Sequence, residues 1–106
     1  MNEKISLRDE RISLRVEAGL RELVPGFLDN RRRDLEALGR ALHSGDLAGV
    51  RSVGRNIRSF SRVLGVTELT VLGEEIQAAA DEASTLRIAH LRSQLADYLA
   101  RVEIAE

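Results

Sequence analysis

The stretch Asp46–Gly65, DLAGVRSVGRNIRSFSRVLG, decides the fold and carries the candidate site. Leu47, Val50, Val53, Ile57, Phe60 and Leu64 recur at steps of three and four, which in a helix places them on one apolar stripe. Arg51, Arg55, Arg58 and Arg62 recur at steps of four, three and four, and they fall on the other side. At roughly 100° per residue, Arg55 lies nearly diametrically opposite the centre of the stripe. Gly54, Ser59 and Ser61 stand between or beside the two rows and leave little bulk around the guanidinium groups. One helix therefore buries a ridge and displays a row of arginines.

Working outward, the same periodicity gives the neighbours of this helix. Upstream, Val24, Leu28, Leu35, Leu38 and Leu42, with Phe27 at the edge, form the buried stripe of a helix over about Val24–His43. Pro25 suits its first turn. Within it, Arg32 and Arg33 at least are expected in solvent. Ser44–Asp46 separates the two helices, Gly45 supplying a left-handed C-terminal position and Asp46 an N-cap. Gly65 closes the arginine helix, and Thr67 is an N-cap candidate for a helix over about Glu68–Ala83. There Leu69, Leu72, Ile76, Ala79 and Ala80 face inward, and Glu74, Glu75, Asp81 and Glu82 face outward. Ser84 or Thr85 caps a last helix over about Leu86–Val102, with Ile88, Leu91, Leu95, Leu99 and Val102 inside and Tyr98 beside them. Connections this short make sequential helices antiparallel neighbours.

A short helix around Glu17–Leu23 precedes all of these. Before it, Ile12, Leu14 and Val16 alternate with polar neighbours in a strand-like period. With no second strand in view, residues 1–16 read as an extended or frayed lead-in, and residues 17–106 as the folded domain. The fold class is all-α: an antiparallel up-down four-helix bundle with a short N-terminal helical extension.

Composition limits what such a bundle can do. In 106 residues, 43% are hydrophobic and only 3% aromatic, so one core of Leu, Ile, Val and Ala is expected. A net charge of −1 gives no global attraction to nucleic acid or membrane, so binding of that kind would need a local patch. The absence of cysteine removes disulfides and thiolate metal sites. No apolar run reaches signal-peptide length, or the roughly 20 residues of a membrane span. Together these predict a cytoplasmic domain.

The titratable residues narrow the field further. His43 sits at a helix C-terminus, where the helix dipole favours a cation, and His90 lies on the last helix with no acidic partner at helical spacing N-terminal to it. Both read as capping or surface histidines. There is no HExxH, no Gly-rich phosphate loop and no Ser-His-Asp arrangement, so neither an enzyme nor a metal or cofactor site is expected. The carboxylates lie on outward positions, which a carboxylate-bridged metal cluster in the bundle core does not use. The arginine row remains. Charge rows are commonly just solvated faces, but four like charges at helical spacing repel one another, which argues for an acidic partner.

The segment Gly54–Gly65 resembles the phosphoacceptor helix of the histidine-containing phosphotransfer (HPt) domains of bacterial two-component phosphorelays. That family's motif is a histidine, two residues, a lysine and a glycine, then an aromatic or Leu and a Gly a few positions on; one form reads GHNMKGSGGSYG. In this chain the frame reads Gly54-Arg55-Asn56-Ile57-Arg58-Ser59-Phe60-Ser61-Arg62-Val63-Leu64-Gly65. The upstream LVPGFLDNRRRDLEALGRALHSGDLAGVRSVG is also similar to the family's second helix and following turn, and the likeness covers about Val16 to Val102. Arg55 occupies the position of the phosphorylated histidine, Arg58 that of the lysine and Ser59 that of the glycine.

A neutral imidazole offers a lone pair near pH 7, whereas a guanidinium is protonated throughout the physiological range and only donates. The resemblance thus implies a degenerate HPt-like bundle over residues 17–106 that does not carry phosphate. Its implied partner is a response-regulator receiver domain or a histidine kinase, met through Arg51, Arg55, Arg58, Ser59 and Arg62. No nucleic acid, membrane or cofactor is implied, and the expected state is a monomer or weak dimer. Three rivals stay open: a structural or dimerisation module, a competent phosphotransfer protein using His43 or His90, and a nucleic-acid-binding helical domain.

Overall fold

Left-handed glycines set the first two turns of the bundle. In the computed structural model, which describes residues 10–105, helix α1 (Val24–Ser44) ends at Gly45 with φ 73°. Helix α2 (Leu47–Leu64) ends at Gly65 with φ 75°. In each, the glycine N–H closes on carbonyls of the last turn, and L side chains seldom adopt that backbone conformation. The Asp46 carboxylate caps α2 by accepting from the Gly49 N–H at 2.9 Å. Helix α3 (Thr67–Asp81) starts differently from the sequence expectation: Val66 is its N-cap, with no side-chain cap, and Thr67 already lies inside it. Ser84 caps helix α4 (Thr85–Arg101) by accepting from the Arg87 N–H at 3.3 Å.

The four helices pack as an antiparallel up-down bundle, each against its sequence neighbours, with α4 closing back on α1. The N-terminal extension, Ala18–Leu23, is a 3-10 helix running straight into α1, where Pro25 occupies the first turn. Leu38, Ile57, Leu69, Ile76, Ile88 and Leu95 are sealed from solvent and form the centre of the core. No helix among the described residues is long and apolar enough to cross a membrane.

The two ends of the chain require a correction. Residues 12–14 are not frayed: β1 (Ile12–Leu14) pairs in parallel with β2 (Val102–Ile104), Ile12 opposite Val102 and Leu14 opposite Ile104. Val102 accordingly belongs to a strand and not to α4. A two-stranded ladder is weak alone, and side chains reinforce this one. Arg11 Nη1 donates to the Ala100 carbonyl at 3.1 Å, and Arg101 Nη1 donates back to the Glu10 carbonyl at 3.2 Å. Arg21 Nη2 donates to the Ala105 carbonyl at 2.6 Å, and buried Leu14 anchors the pair in the core. Residues 1–9 of the expected lead-in, and residue 106, lie outside the described residues.

The closest packing is between α2 and α3, where glycines meet. A Cβ at Gly73 would lie 2.5 Å from the Arg58 backbone nitrogen and 2.7 Å from the Gly54 carbonyl oxygen. A Cβ at Gly54 would lie 2.9 Å from the Gly73 carbonyl oxygen. Both obstacles are backbone, which cannot swing aside. Overpacking a core typically costs about 1–3 kcal/mol. Gly73→Ala is therefore expected to lose about 2–3 kcal/mol in urea unfolding. Gly26→Ala in α1, which meets nothing within 4 Å, should shift stability by no more than about 1 kcal/mol.

Candidate functional site

The Gly54–Gly73 contact determines how α2 is turned in the bundle. Gly54 and Ser61 are buried together with Val50, Val53, Ile57 and Leu64, so the buried sector of α2 is wider on the α3 side than the apolar residues alone mark out. Gly54 is small because α3 presses on it, and Ser61 is sealed in the core, so neither leaves room for a partner. The arginine row consequently runs along the shoulder next to α3. Phe60 is pushed out on the α1 side, where it is 54% exposed, a correction to its place on the apolar stripe.

The four arginines differ in what they can offer. Arg51 is engaged: its Nε lies 2.7 Å from Oδ1 of Asp81 on α3. Arg58 is half-buried against α3, and its Nε is sealed from solvent with no hydrogen-bond partner among the described residues. Arg55 and Arg62 are exposed, and neither forms an ion pair among the described residues. Ser59 is exposed beside them. Ser61, wholly buried, has an unpartnered hydroxyl beneath the row.

Two features of this face escape the periodicity argument. The first is apolar exposure: Val63 is 72% exposed next to Phe60, so α2 shows an aromatic and an aliphatic side chain toward its α1 side and guanidinium groups toward its α3 side. The second is a buried charge pair at the α1–α2 interface. Arg31, 2% exposed, donates from Nε to Asp34 Oδ2 at 2.7 Å. Its guanidinium carbon stands 4.9 Å from the Phe27 ring centre and 5.3 Å from that of Phe60. Phe60 is thereby braced at the surface by a cation–π contact to a neighbouring helix. A sequence signal existed for Arg31: it falls between Leu28 and Leu35 in the three-and-four spacing of the buried stripe of α1.

Burial pushes the Asp34 carboxyl above the usual carboxylate range, and the attraction of Arg31, with help from Asn56 of α2, offsets this only in part. A carboxyl raised on folding favours the native state at low pH. This contribution fades as pH rises from the unfolded value of 3.8 through the native one.

The histidines stay away from this face. His43 is exposed in the last turn of α1 and His90 is exposed on α4, its Nε2 3.3 Å from Gln94 Nε2. Among the described residues no three His, Asp or Glu side chains gather as a metal site. One groove lies between α3 and α4 and another between α1 and α4. In the first, Glu75 and Asp97 already face Arg87 and Arg101 at 3.8 and 3.1 Å. Burial, with Glu68 nearby, pushes the Tyr98 phenol there up to about 12. The α2 side chains line neither groove, and an exposed row of this kind suits a macromolecule more than a small substrate. Comparison with protein-family models, curated proteins and solved structures finds no match to this chain.

The buried pair and the exposed pair should respond very differently to substitution. Asp34→Ala leaves Arg31 charged and buried, and is expected to lose about 3–5 kcal/mol in urea unfolding. Asp81→Ala releases Arg51 to solvent and should cost no more than about 1 kcal/mol. Asp34→Asn should flatten the fall in stability on raising pH from about 4, measured by unfolding across a pH series.

Proposed function

We propose that this protein is an HPt-like domain without the phosphoacceptor histidine, which binds a response-regulator receiver domain or a histidine kinase and regulates it without carrying phosphate. The observation that carries this reading is the solvent-facing position of Arg55. It stands where the resemblance puts the phosphorylated histidine, with Arg62, which forms no ion pair among the described residues, on the same side and Phe60 and Val63 exposed on the same helix.

The chemistry follows from the side chains. A receiver's phosphorylated aspartate sits in an acidic pocket, and guanidinium groups pair with carboxylate or phosphoryl oxygens in a two-pronged geometry. A guanidinium stays protonated and offers no nucleophilic lone pair, so docking at Arg55 brings no transfer. The exposed phenyl ring supplies the apolar anchor that interface energetics favour, and the charges supply orientation and rate of encounter. Arg31 holds that ring in place from below. The protein acts in this reading as a cytoplasmic adaptor, inhibitor or sink.

The test is a calorimetric titration against the receiver domains and histidine kinases of its own genome, each receiver with and without an acyl-phosphate mimic. It is run beside phosphoryl uptake from a radiolabelled receiver. The expected result is binding to one receiver, strengthened by the mimic, with label taken up only by Arg55→His. Arg55→Ala should weaken the preference for the mimic by about tenfold, the size of one charge-assisted hydrogen bond. Label on the natural protein that disappears when His43 and His90 are replaced would overturn the reading in favour of transfer. Absence of binding to every receiver and kinase, together with stable self-association, would overturn it in favour of a dimerisation module.

A further inference from the structure

Between α3 and α4 lies a groove of about 700 Å³, and Tyr98, only 7% exposed, lines it. Among the described residues the Tyr98 hydroxyl makes no hydrogen bond. It is not among the atoms sealed from solvent either, so the small exposed part of Tyr98 includes its hydroxyl. Glu68 lines the same groove and forms no ion pair among the described residues. Burial first, and then the charge of Glu68, push the phenol up to about 12, so the hydroxyl keeps its proton at neutral pH. Arg101 lines the groove as well, but its guanidinium is committed to Asp97 at 3.1 Å and to the Glu10 carbonyl at 3.2 Å.

The α3 wall of this groove alternates in character. Glu68, Leu72 and Glu75 follow one another at steps of four and three, so they share one helix face in the order acid, apolar, acid. A seven-residue step sets the two glutamates about 10 Å apart along the helix axis. Glu75 meets only Arg87, at 3.8 Å, and Arg87 lies closer to Glu82, at 3.3 Å. Leu72 is buried between the two acids, and Tyr98 of α4 and Ile12 of β1 line the groove with it. Among the described residues no three His, Asp or Glu side chains gather as a metal site. The two carboxylates therefore suit two separate cationic heads and not one ion.

We propose that the α3–α4 groove binds a linear aliphatic polyamine, one terminal ammonium on Glu68 and the Tyr98 hydroxyl and the other on Glu75. An ammonium has three N–H donors and no acceptor, so one head can meet a carboxylate and a phenol oxygen together. The methylenes between the heads lie over Leu72, which repays their removal from water. A single ammonium on a long tail would leave one glutamate unmet, and an anion would face three carboxylates with Arg101 already engaged. The site is independent of the α2 face and of the reading given to that face.

The chain contains one tyrosine and no tryptophan, so its tyrosine emission reports on this groove. The experiment titrates the full chain, nitrogen-15 labelled, with spermidine, octylamine and trilysine as separate arms at constant ionic strength. It follows Tyr98 emission and amide shifts together. Saturable changes confined to residues 68–75 and 93–101 are expected, with spermidine binding tightest and one-headed octylamine about tenfold weaker. Glu68→Gln should weaken spermidine by about tenfold, and Tyr98→Phe, followed by amide shifts alone, by about fivefold. Glu74→Gln, which removes the same charge from an exposed position of α3, should leave the affinity unchanged. The amide spectrum of each variant reports whether it has folded. Absence of saturation, or an equal loss in Glu74→Gln, would overturn the site. Equal affinity for octylamine would overturn the two-headed ligand, and tighter binding of trilysine would overturn the polyamine in favour of a basic protein segment.

Discussion

The backbone contact between Gly54 and Gly73 is the constraint on which the rest of this structure depends. Two helices approach this closely only where neither carries a Cβ at the crossing, and the missing side chains are what turn α2 about its axis. Once α2 is turned, the burial of Ile57 and Leu64, the position of the arginines along the α3 shoulder and the ejection of Phe60 toward α1 follow together. The same contact half-buries Arg58 and brings Arg51 within reach of Asp81, leaving Arg55 and Arg62 as the outward charges.

The other side of α2 is held by a different kind of interaction. Arg31 is an expensive residue to bury, and it persists because Asp34 and two aromatic rings meet it. It joins α1 to the exposed ring of Phe60, so the stability of the α1–α2 interface and the rigidity of the outer face are linked through one guanidinium. A face that is fixed before binding loses less conformational entropy on binding. The two arginine clamps between the chain ends serve the fold differently, tying β1 and β2 together at the margin of the bundle.

What could be read from the sequence was what local chemistry determines. Gly45, Gly65 and Asp46 announce the ends of α1 and α2 because a left-handed turn and an N-cap need those residue types. The arginine row and most of the core stripe follow from a period of 3.6. Smallness was harder to interpret, since Gly54 and Ser61 look alike whether they open a surface or admit another helix. The decisive partner, Gly73, falls between Leu69 and Ile76 in the three-and-four spacing of the inward stripe of α3, but spacing alone does not say that a glycine there marks a close crossing. Phe60 sits at the rim of its stripe, where its burial depends on the turn of α2. The β1–β2 pair joins opposite ends of the chain, and Val102 continues the helical period up to the point where it leaves it.

In the proposed function, the turned α2 presents a docking face for an acidic receiver surface. The most direct test is to map that face by amide chemical-shift changes in the labelled protein as a binding receiver is added. The account predicts changes concentrated on residues 55–63, with smaller ones at Arg31 and Asp34 transmitted through Phe60, and none on α4. Changes centred on α4 or on the β1–β2 pair, with α2 untouched, would contradict it.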